Sequence, residues 1–338
     1  MDLKDTIFAL SQVNGASGDE KNAAETVLKM LREYCPEADI INGNVIGKFG
    51  VHRPKLPSLV LDAHIDQIGL IVKDITSEGV GKIGNLGGID RRLLPAQKIV
   101  IHGKKDVSGV VCSVPPHLSK GSSKVLSFDE IAIDTGMTSE ELKNIVSPGD
   151  SVTFSVKCRS LLGTRITGGA MDDRCGVAAV LYTLELLKNR APAYNVTVVF
   201  SVQEELGERG AKTGAFETAP DIAIAVDVSF AYGEGEKRSK CGDMGKGAMI
   251  GISPCLSREI SDALFQTAKR AGLPYQTEVM NDLTSTNADQ YSAVGKGAKT
   301  CTVSIPLRYM HTPVEVIDLM DVENTARLLA EYIGGGSE

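Results

Sequence analysis

The chain has no surplus of positive charge, no long apolar run and no paired cysteines, and each absence removes a class of function. Acidic residues number 43 against 36 basic ones, a formal net charge of −7, so no general attraction for nucleic acid or an anionic membrane surface is expected. No apolar run reaches the ~18 residues that a membrane span needs. The opening "MDLKDTIFALSQVNGASGDE" is acidic and amphipathic, without the basic segment and apolar core of a secretory signal; a cytoplasmic location is the expectation. The seven cysteines (Cys35, Cys112, Cys158, Cys175, Cys241, Cys255 and Cys301) are odd in number and form no C-x-x-C pair, so they read as reduced, buried and structural. Internal repeats and low-complexity tracts are absent as well. The Gly-rich "GKGAMIGI" does not follow the pattern of a phosphate-binding loop, and its glycines read as turn residues.

What is present is a chain of 338 residues, 42% of them hydrophobic, long enough to bury a large core and to hold more than one domain. Its character changes twice. "DEKNAAETVLKMLREYC" carries apolar residues at helical spacing and leads into the strand-like "NVIGKFGVH" and "PSLVLDAHID". From about residue 69 to 161 the chain becomes a series of short alternating runs, among them "GLIVKDI", "QKIVIHG" and "KDVSGVVCSV", separated by Gly, Asp and Lys turns. Helix and buried strand then alternate again through "CGVAAVLYTLELLKN", "NVTVVFSV", "DIAIAVDV", "KTCTVSI" and "DLMDVENTARLLAEYI". That pattern predicts an α/β fold, with a mixed, mostly parallel sheet covered by helices on both faces. The expected organisation is a discontinuous catalytic domain of residues 1–68 and 162–338, interrupted by a small barrel-like β domain at 69–161.

Four apolar runs finish in residues able to bind metal. "LVLDAHID" ends in His64 and Asp66, "VVFSVQEE" in Glu204 and Glu205, "AIAVDVS" carries Asp227, and "TVSIPLRYMHT" leads to His311; "TGGAMDDRCGVAAV" sets Asp172 and Asp173 directly before a helix. Ligands of open α/β sheets collect beyond the carboxyl ends of the strands, so these five stretches can meet in one crevice. Two imidazoles and three carboxylates suit two divalent cations of the zinc type, with one carboxylate shared. Successive residues of an extended segment point to opposite sides, so one of Glu204 and Glu205 can bind metal while its neighbour faces a substrate water.

Simpler readings exist for each part. A single His after a strand is commonly a hydrogen-bonded structural residue, Glu204 and Glu205 alone describe a solvated turn, and Asp172 with Asp173 could cap the following helix. Those readings leave the joint placement at strand ends without a cause. His52, His102 and His117 have no carboxylates at ligand spacing and read as structural. Cys175 and Cys241 lie near the motifs but lack a partner that would make either a nucleophile. Arg209 and Arg308 read as loop-holding residues, with substrate contact as the alternative.

"AHID", "MDDRCG", "VQEELGERGA", "AVDVS" and "RYMHT", in this order and spacing, resemble the dinuclear-metal aminopeptidases that assemble into tetrahedral dodecamers, relatives of glutamyl and leucyl aminopeptidases, some of which carry the label endoglucanase or cellulase. The resemblance spans essentially the whole chain, including "VPPHLS" and "DEIAIDTGMTSEEL" of the β insert. It implies that Asp172 bridges two metals, with His64 and Glu205 completing one site and Asp227 and His311 the other. It implies further that Glu204 is the general base, that Asp66 orients the His64 imidazole, and that Asp173 belongs to a strained turn aiming Asp172. Gln67 departs from the Glu that many relatives carry after "HxD", which touches only a peripheral hydrogen bond.

The expected chemistry is hydrolysis of the first peptide bond, with two cations, zinc or cobalt, acidifying a water and polarising the carbonyl. Glu204 would move the proton, and the free α-amine of the peptide would restrict cleavage to the first residue. The insert is expected to join subunits into dimers and a hollow dodecamer. A carboxypeptidase or deacylase using the same metals is the nearest alternative. A glycoside hydrolase needs two carboxylates ~5 to 9.5 Å apart and has no use for His64, Asp227 and His311. A purely structural subunit would be the reading if a ligand or Glu204 were replaced, and none is.

Overall fold

A computed structural model of the chain describes residues 1–119 and 125–335; residues 120–124, within the expected β insert, and 336–338, within the expected second catalytic segment, lie outside the described residues. Four strands form the centre of the main sheet, in the order Asn195–Ser201, Ser58–His64, Ile222–Phe230, Lys299–Arg308. All three pairings between them are parallel, so their carboxyl ends share one edge. Antiparallel strands extend the sheet on both sides: Asn44–Lys48 pairs with Asn195–Ser201, and Glu315–Asp318 pairs with the end of Lys299–Arg308.

Alternation along the central strands explains why helices cover both faces. Leu59, Leu61 and Ile224 turn to a large core shared with Val177 and Leu184 of the helix Met171–Leu187 and Leu328 of the helix Leu319–Ile333. Their neighbours Val60 and Ala223 turn the other way, against Ala211 and Ala215 of the helix Arg209–Thr218 and Tyr291 of the helix Ala288–Ala293. Strands buried on both faces read as continuous apolar runs, which is how they appear in the sequence.

The second body is a closed barrel of six strands, Gly69–Ile75, Gly81–Leu86, Ala132–Asp134, Asp106–Val111, Lys98–His102 and Ser151–Phe154, in that order around the ring. Every pairing in it is antiparallel. Leu70, Val72, Ile83, Ile99, Ile101 and Val152 fill its interior. Closure leaves no edge strand exposed, so the barrel has a core of its own. Among the described residues no helix is long and apolar enough to cross a membrane.

All seven cysteines are free. Cys35, Cys175 and Cys301 are buried, while the other four are half-buried, so the expectation of wholly buried thiols holds for only part of the set.

Candidate metal centre

The shared carboxyl edge brings the predicted residues together. His64 is the last residue of its strand and is buried. Its Nδ1 lies 3.1 Å from the Asp66 carbonyl oxygen, which can only accept, so Nδ1 carries the proton and Nε2 is left to face the cluster. That Nε2 is 3.0 Å from Asp172 Oδ1 and 3.9 Å from Asp227 Oδ1. On the other side, His311 Nε2 lies 3.3 Å from Asp172 Oδ2 and 3.1 Å from Glu205 Oε1. Asp172 therefore spans the two imidazoles, one oxygen to each. The grouping differs from the one expected: His64 sits with Asp227, and His311 with Glu205. Strand adjacency alone does not decide this, because the His64 strand pairs with the strands on both of its sides; the side chains do, with His64 Nε2 reaching Asp227 and His311 Nε2 reaching Glu205.

Asp173 is more involved than a turn residue. One group of metal-capable atoms within 4.8 Å of one another comprises His64, Asp173 and Asp227, and a second comprises Asp172, Glu205 and His311. Asp173 Oδ1 accepts the Gly176 amide at 3.1 Å, whereas its buried Oδ2 has no partner. The Asp172–Asp173 peptide is cis, and both residues have non-helical backbone angles, which places Asp172 ahead of the regular helix.

The adjacent glutamates are held by their backbones. Asp66 accepts the amide of Glu204 on Oδ1 at 3.0 Å and the amide of Glu205 on Oδ2 at 3.1 Å. The carboxylate expected to orient His64 also fixes the turn that presents both acids. Glu205 then reaches His311, while the Glu204 carboxylate has no protein hydrogen-bond donor among the described residues.

Sequence reasoning missed three positioning groups. Buried Glu315 accepts the amides of Met171 at 2.8 Å and Asp172 at 3.3 Å on one oxygen, and that of His311 at 2.9 Å on the other. Glu20 accepts the Gln203 amide at 3.1 Å. On the His64 strand itself, two residues earlier and on the same face, Asp62 accepts hydrogen bonds from Ser201 at 2.9 Å, Asn287 at 2.6 Å and Tyr291 at 2.7 Å. A lone acid inside an apolar run, as in "PVEVID" or "LVLDAH", is the signal that marks Glu315 and Asp62. His52 and His102 are structural, as read from the sequence: His52 Nε2 meets the Val196 carbonyl at 3.0 Å, and His102 lies between Asp106 and Thr153 in the barrel.

So many carboxylates in one buried place are electrostatically unbalanced. Burial, reinforced by Asp227 and Glu205, pushes Glu204 up to about 9, and burial together with Asp172 pushes Asp227 up to about 8. Burial opposes a charged imidazole at His311, but its bonds to Asp172 and Glu205 outweigh that and raise it to about 11; His64 is likewise raised by Asp172 and Asp66. Asp172, against two imidazoles, is held below the usual carboxylate range despite its burial. Nitrogen and oxygen donors packed this closely, with no Lys or Arg lining the cavity among the described residues, form a donor set that fits divalent cations.

The cluster opens into a cavity of about 530 Å³ that continues past Ser229, Phe230, Glu278, Met280 and Ser304. A second cleft, between the sheet edge and the barrel, is also lined by Asp172, Glu205 and His311. Where the barrel approaches, an added side chain would displace its neighbours. A Cβ on Gly87, whose φ is +76°, would meet Glu205 Oε2 at 3.1 Å, and one on Gly88 would meet His311 Nδ1 at 2.9 Å.

Residues 43–328 match the profile of the M42 glutamyl aminopeptidases. The lysyl aminopeptidase of Pyrococcus furiosus is 32% identical over 323 residues, 93% of this chain and 92% of its own length. Aminopeptidase APDkam598 from the archaeon Desulfurococcus kamchatkensis superposes with a TM-score of 0.92 at 30% identity, over 99% of this chain and 95% of that one. The Pyrococcus horikoshii TET1 peptidase, which can assemble into a tetrahedron or a large octahedral shell, superposes with a TM-score of 0.86 at 28% identity, over 98% and 99% of the two chains.

Proposed function

The chain belongs to the M42 glutamyl aminopeptidase family, and from that premise we propose that it is an aminopeptidase using two divalent cations and Glu204 as general base. The observation that carries this reading is the unlike fate of two adjacent acids: Glu205 is tied to His311, whereas Glu204 faces the same cavity with its carboxylate free of protein donors.

In this reading His64, Asp172 and Asp227 hold one cation, and Asp172, Glu205 and His311 hold the other, with zinc or cobalt suiting the mixed nitrogen and oxygen donors. Asp173, one of whose oxygens is unpartnered, stands close enough to the first group to support it. Bound there, the cations supply Lewis acidity toward the scissile carbonyl and lower the pKa of water. Glu204 takes a proton from the water whose oxygen adds to the carbonyl carbon, and passes it to the nitrogen that leaves as the C–N bond breaks. Positive charge beside Glu204 also lowers its pKa into the range where a base works near neutral pH. Asp66 and Glu315 act by positioning, Asp66 through the amides of the acidic pair and Glu315 through those of Asp172 and His311.

We assign the insert, residues 69–161, to self-association into dimers and a dodecamer, with residues 1–68 and 162–338 as the catalytic domain. The insert supplies none of the proposed ligands, and the TET1 relative assembles into closed shells. The deciding experiment compares a peptide amide with a free α-amine against its N-acetylated form, using chelated protein reloaded with zinc or cobalt. Only the free amine should be cleaved. Equal turnover of both would favour a deacylase or endo-acting hydrolase. The family is named for glutamyl substrates and the Pyrococcus furiosus relative for lysyl ones, so the choice of first residue has to come from this chain's own pocket.

A further inference from the structure

We propose that the cavity beside the metal centre selects a cationic first residue, lysine or arginine, and that Glu278 is the residue that selects it. The inference rests on the aminopeptidase reading above and adds the substrate class.

Strand register places Glu278 next to the reacting end of the cavity. Asp227 lies opposite Ser304 in the parallel pairing of their strands, so the two side chains share a face one strand spacing apart, roughly 4.8 Å. Ser229, two residues beyond Asp227, points the same way. Both serine hydroxyls donate to Glu278, Ser229 to Oε1 and Ser304 to Oε2 at 2.8 Å. Glu278 comes from the neighbouring strand Tyr275–Val279, which pairs with Ala248–Ile252 and through it with the Ser304 strand. It belongs to neither group of metal-capable atoms.

The two serines fix the carboxylate but bring no charge, and no Lys or Arg lines the cavity among the described residues. Burial pushes the Glu278 carboxyl above its usual range and the hydroxyl donors pull it back only in part, the condition of an acid without a counterion. Phe230, Met280 and Met310 line the same cavity. Apolar walls ending in an anion match a lysine or arginine side chain, which buries its methylene stem and keeps its charge at the tip. A glutamyl first residue meets the opposite condition, because Glu208 lines the cavity as well and already accepts from Gln290 at 3.0 Å.

The test is the specificity of the metal-loaded enzyme on lysyl, norleucyl, arginyl and glutamyl coumarylamides. Norleucine is lysine without its ammonium group, so kcat/KM for lysyl over norleucyl isolates the charge. The ratio should favour lysyl by at least ~10²-fold, as expected when a buried charge is left without its partner. Glu278→Gln should collapse that ratio toward one. Glu278→Asp, which keeps the charge and withdraws it by one methylene, should move the preference from lysyl to the longer arginyl. A lysyl to norleucyl ratio near one in the wild type, or a high ratio that survives Glu278→Gln, overturns the assignment. Failure of every free-amine substrate would instead remove the aminopeptidase reading. The pocket can then still be judged without turnover, because L-lysine should raise the melting temperature more than L-norleucine does at equal concentration, and equal shifts would refute it.

Discussion

Replacing Glu204 by Gln separates the two adjacent acids more sharply than any other change. The substitution is isosteric, and the turn is held through the Glu204 and Glu205 amides on Asp66, which the new side chain leaves in place. The amide cannot accept and return a proton, so turnover should fall by ~10²- to 10⁴-fold, about 3–5 kcal/mol of barrier. Because burial among carboxylates raises Glu204 to about 9 in the metal-free protein, folding at neutral pH must hold a proton on it, a cost that the uncharged Gln does not carry, and the melting temperature should hold or rise. Glu205→Gln has a different signature. It removes the carboxylate that lies 3.1 Å from His311, so metal content should drop toward one ion per subunit and excess metal should restore part of the activity. Elemental analysis and turnover on a free-amine peptide amide, measured on both variants, provide the comparison. Wild-type activity in both would refute the site; loss of metal from Glu204→Gln with retention in Glu205→Gln would exchange the two roles.

Chelation should abolish turnover, and added zinc or cobalt should restore it; a fully active metal-free protein would be incompatible with the proposed chemistry. Metal-free His311 is raised to about 11 and His64 well above its ordinary value, so both carry protons at neutral pH that coordination must expel. Titration calorimetry in buffers of unlike ionisation heat should therefore read net proton release on metal binding, and an absence of release would contradict the ligand set. Burial raises Asp62 from 3.8 to about 6, so its stabilising contribution is fully present below about pH 4 and is lost as pH rises through about 6; relative to Asp62→Asn, the wild type should lose roughly 3 kcal/mol across that window in urea unfolding. A pH-independent difference would show that Asp62 is not the group responsible. Light scattering should return the mass of a dodecamer, and a monomer fully active on short peptides would remove the role assigned to the insert.

Much of this was legible because burial and chemistry leave different marks on a sequence. Continuous apolar runs announced strands covered on both faces, and a polar residue at the end of such a run has few reasons to be there, which is why His64, Asp227 and the Glu204–Glu205 pair stood out. The shift to short alternating runs near residue 69 marked the barrel strands that begin at Gly69 and end at Phe154. What stayed hidden depends on which strands are neighbours. The resemblance named His64, Asp172, Glu205, Asp227 and His311, but only the folded side chains put Asp227 beside His64 and leave Glu205 to His311. The reach of Asp66 to two amides, and of Glu315 to three, joins segments far apart in the chain. No local periodicity records such long-range pairings. Glu278 escaped for the same reason, since its meaning comes from two serines on two other strands.

The glycine pair at residues 87 and 88 gives the insert a second consequence. These residues follow the barrel strand Gly81–Leu86 and lie so close to Glu205 and His311 that a methyl group on either would force one of those side chains to move. The barrel thus forms one wall of the cage around the imidazole, and the α/β part alone would leave that ring open on one side. Trimming the chain to its sheet and helices does not yield a smaller version of the same hydrolase. A displacement of this loop would be felt first at Glu205 and His311, without crossing the hydrophobic core, so whatever holds the barrel from outside also bears on the two side chains proposed to share a cation.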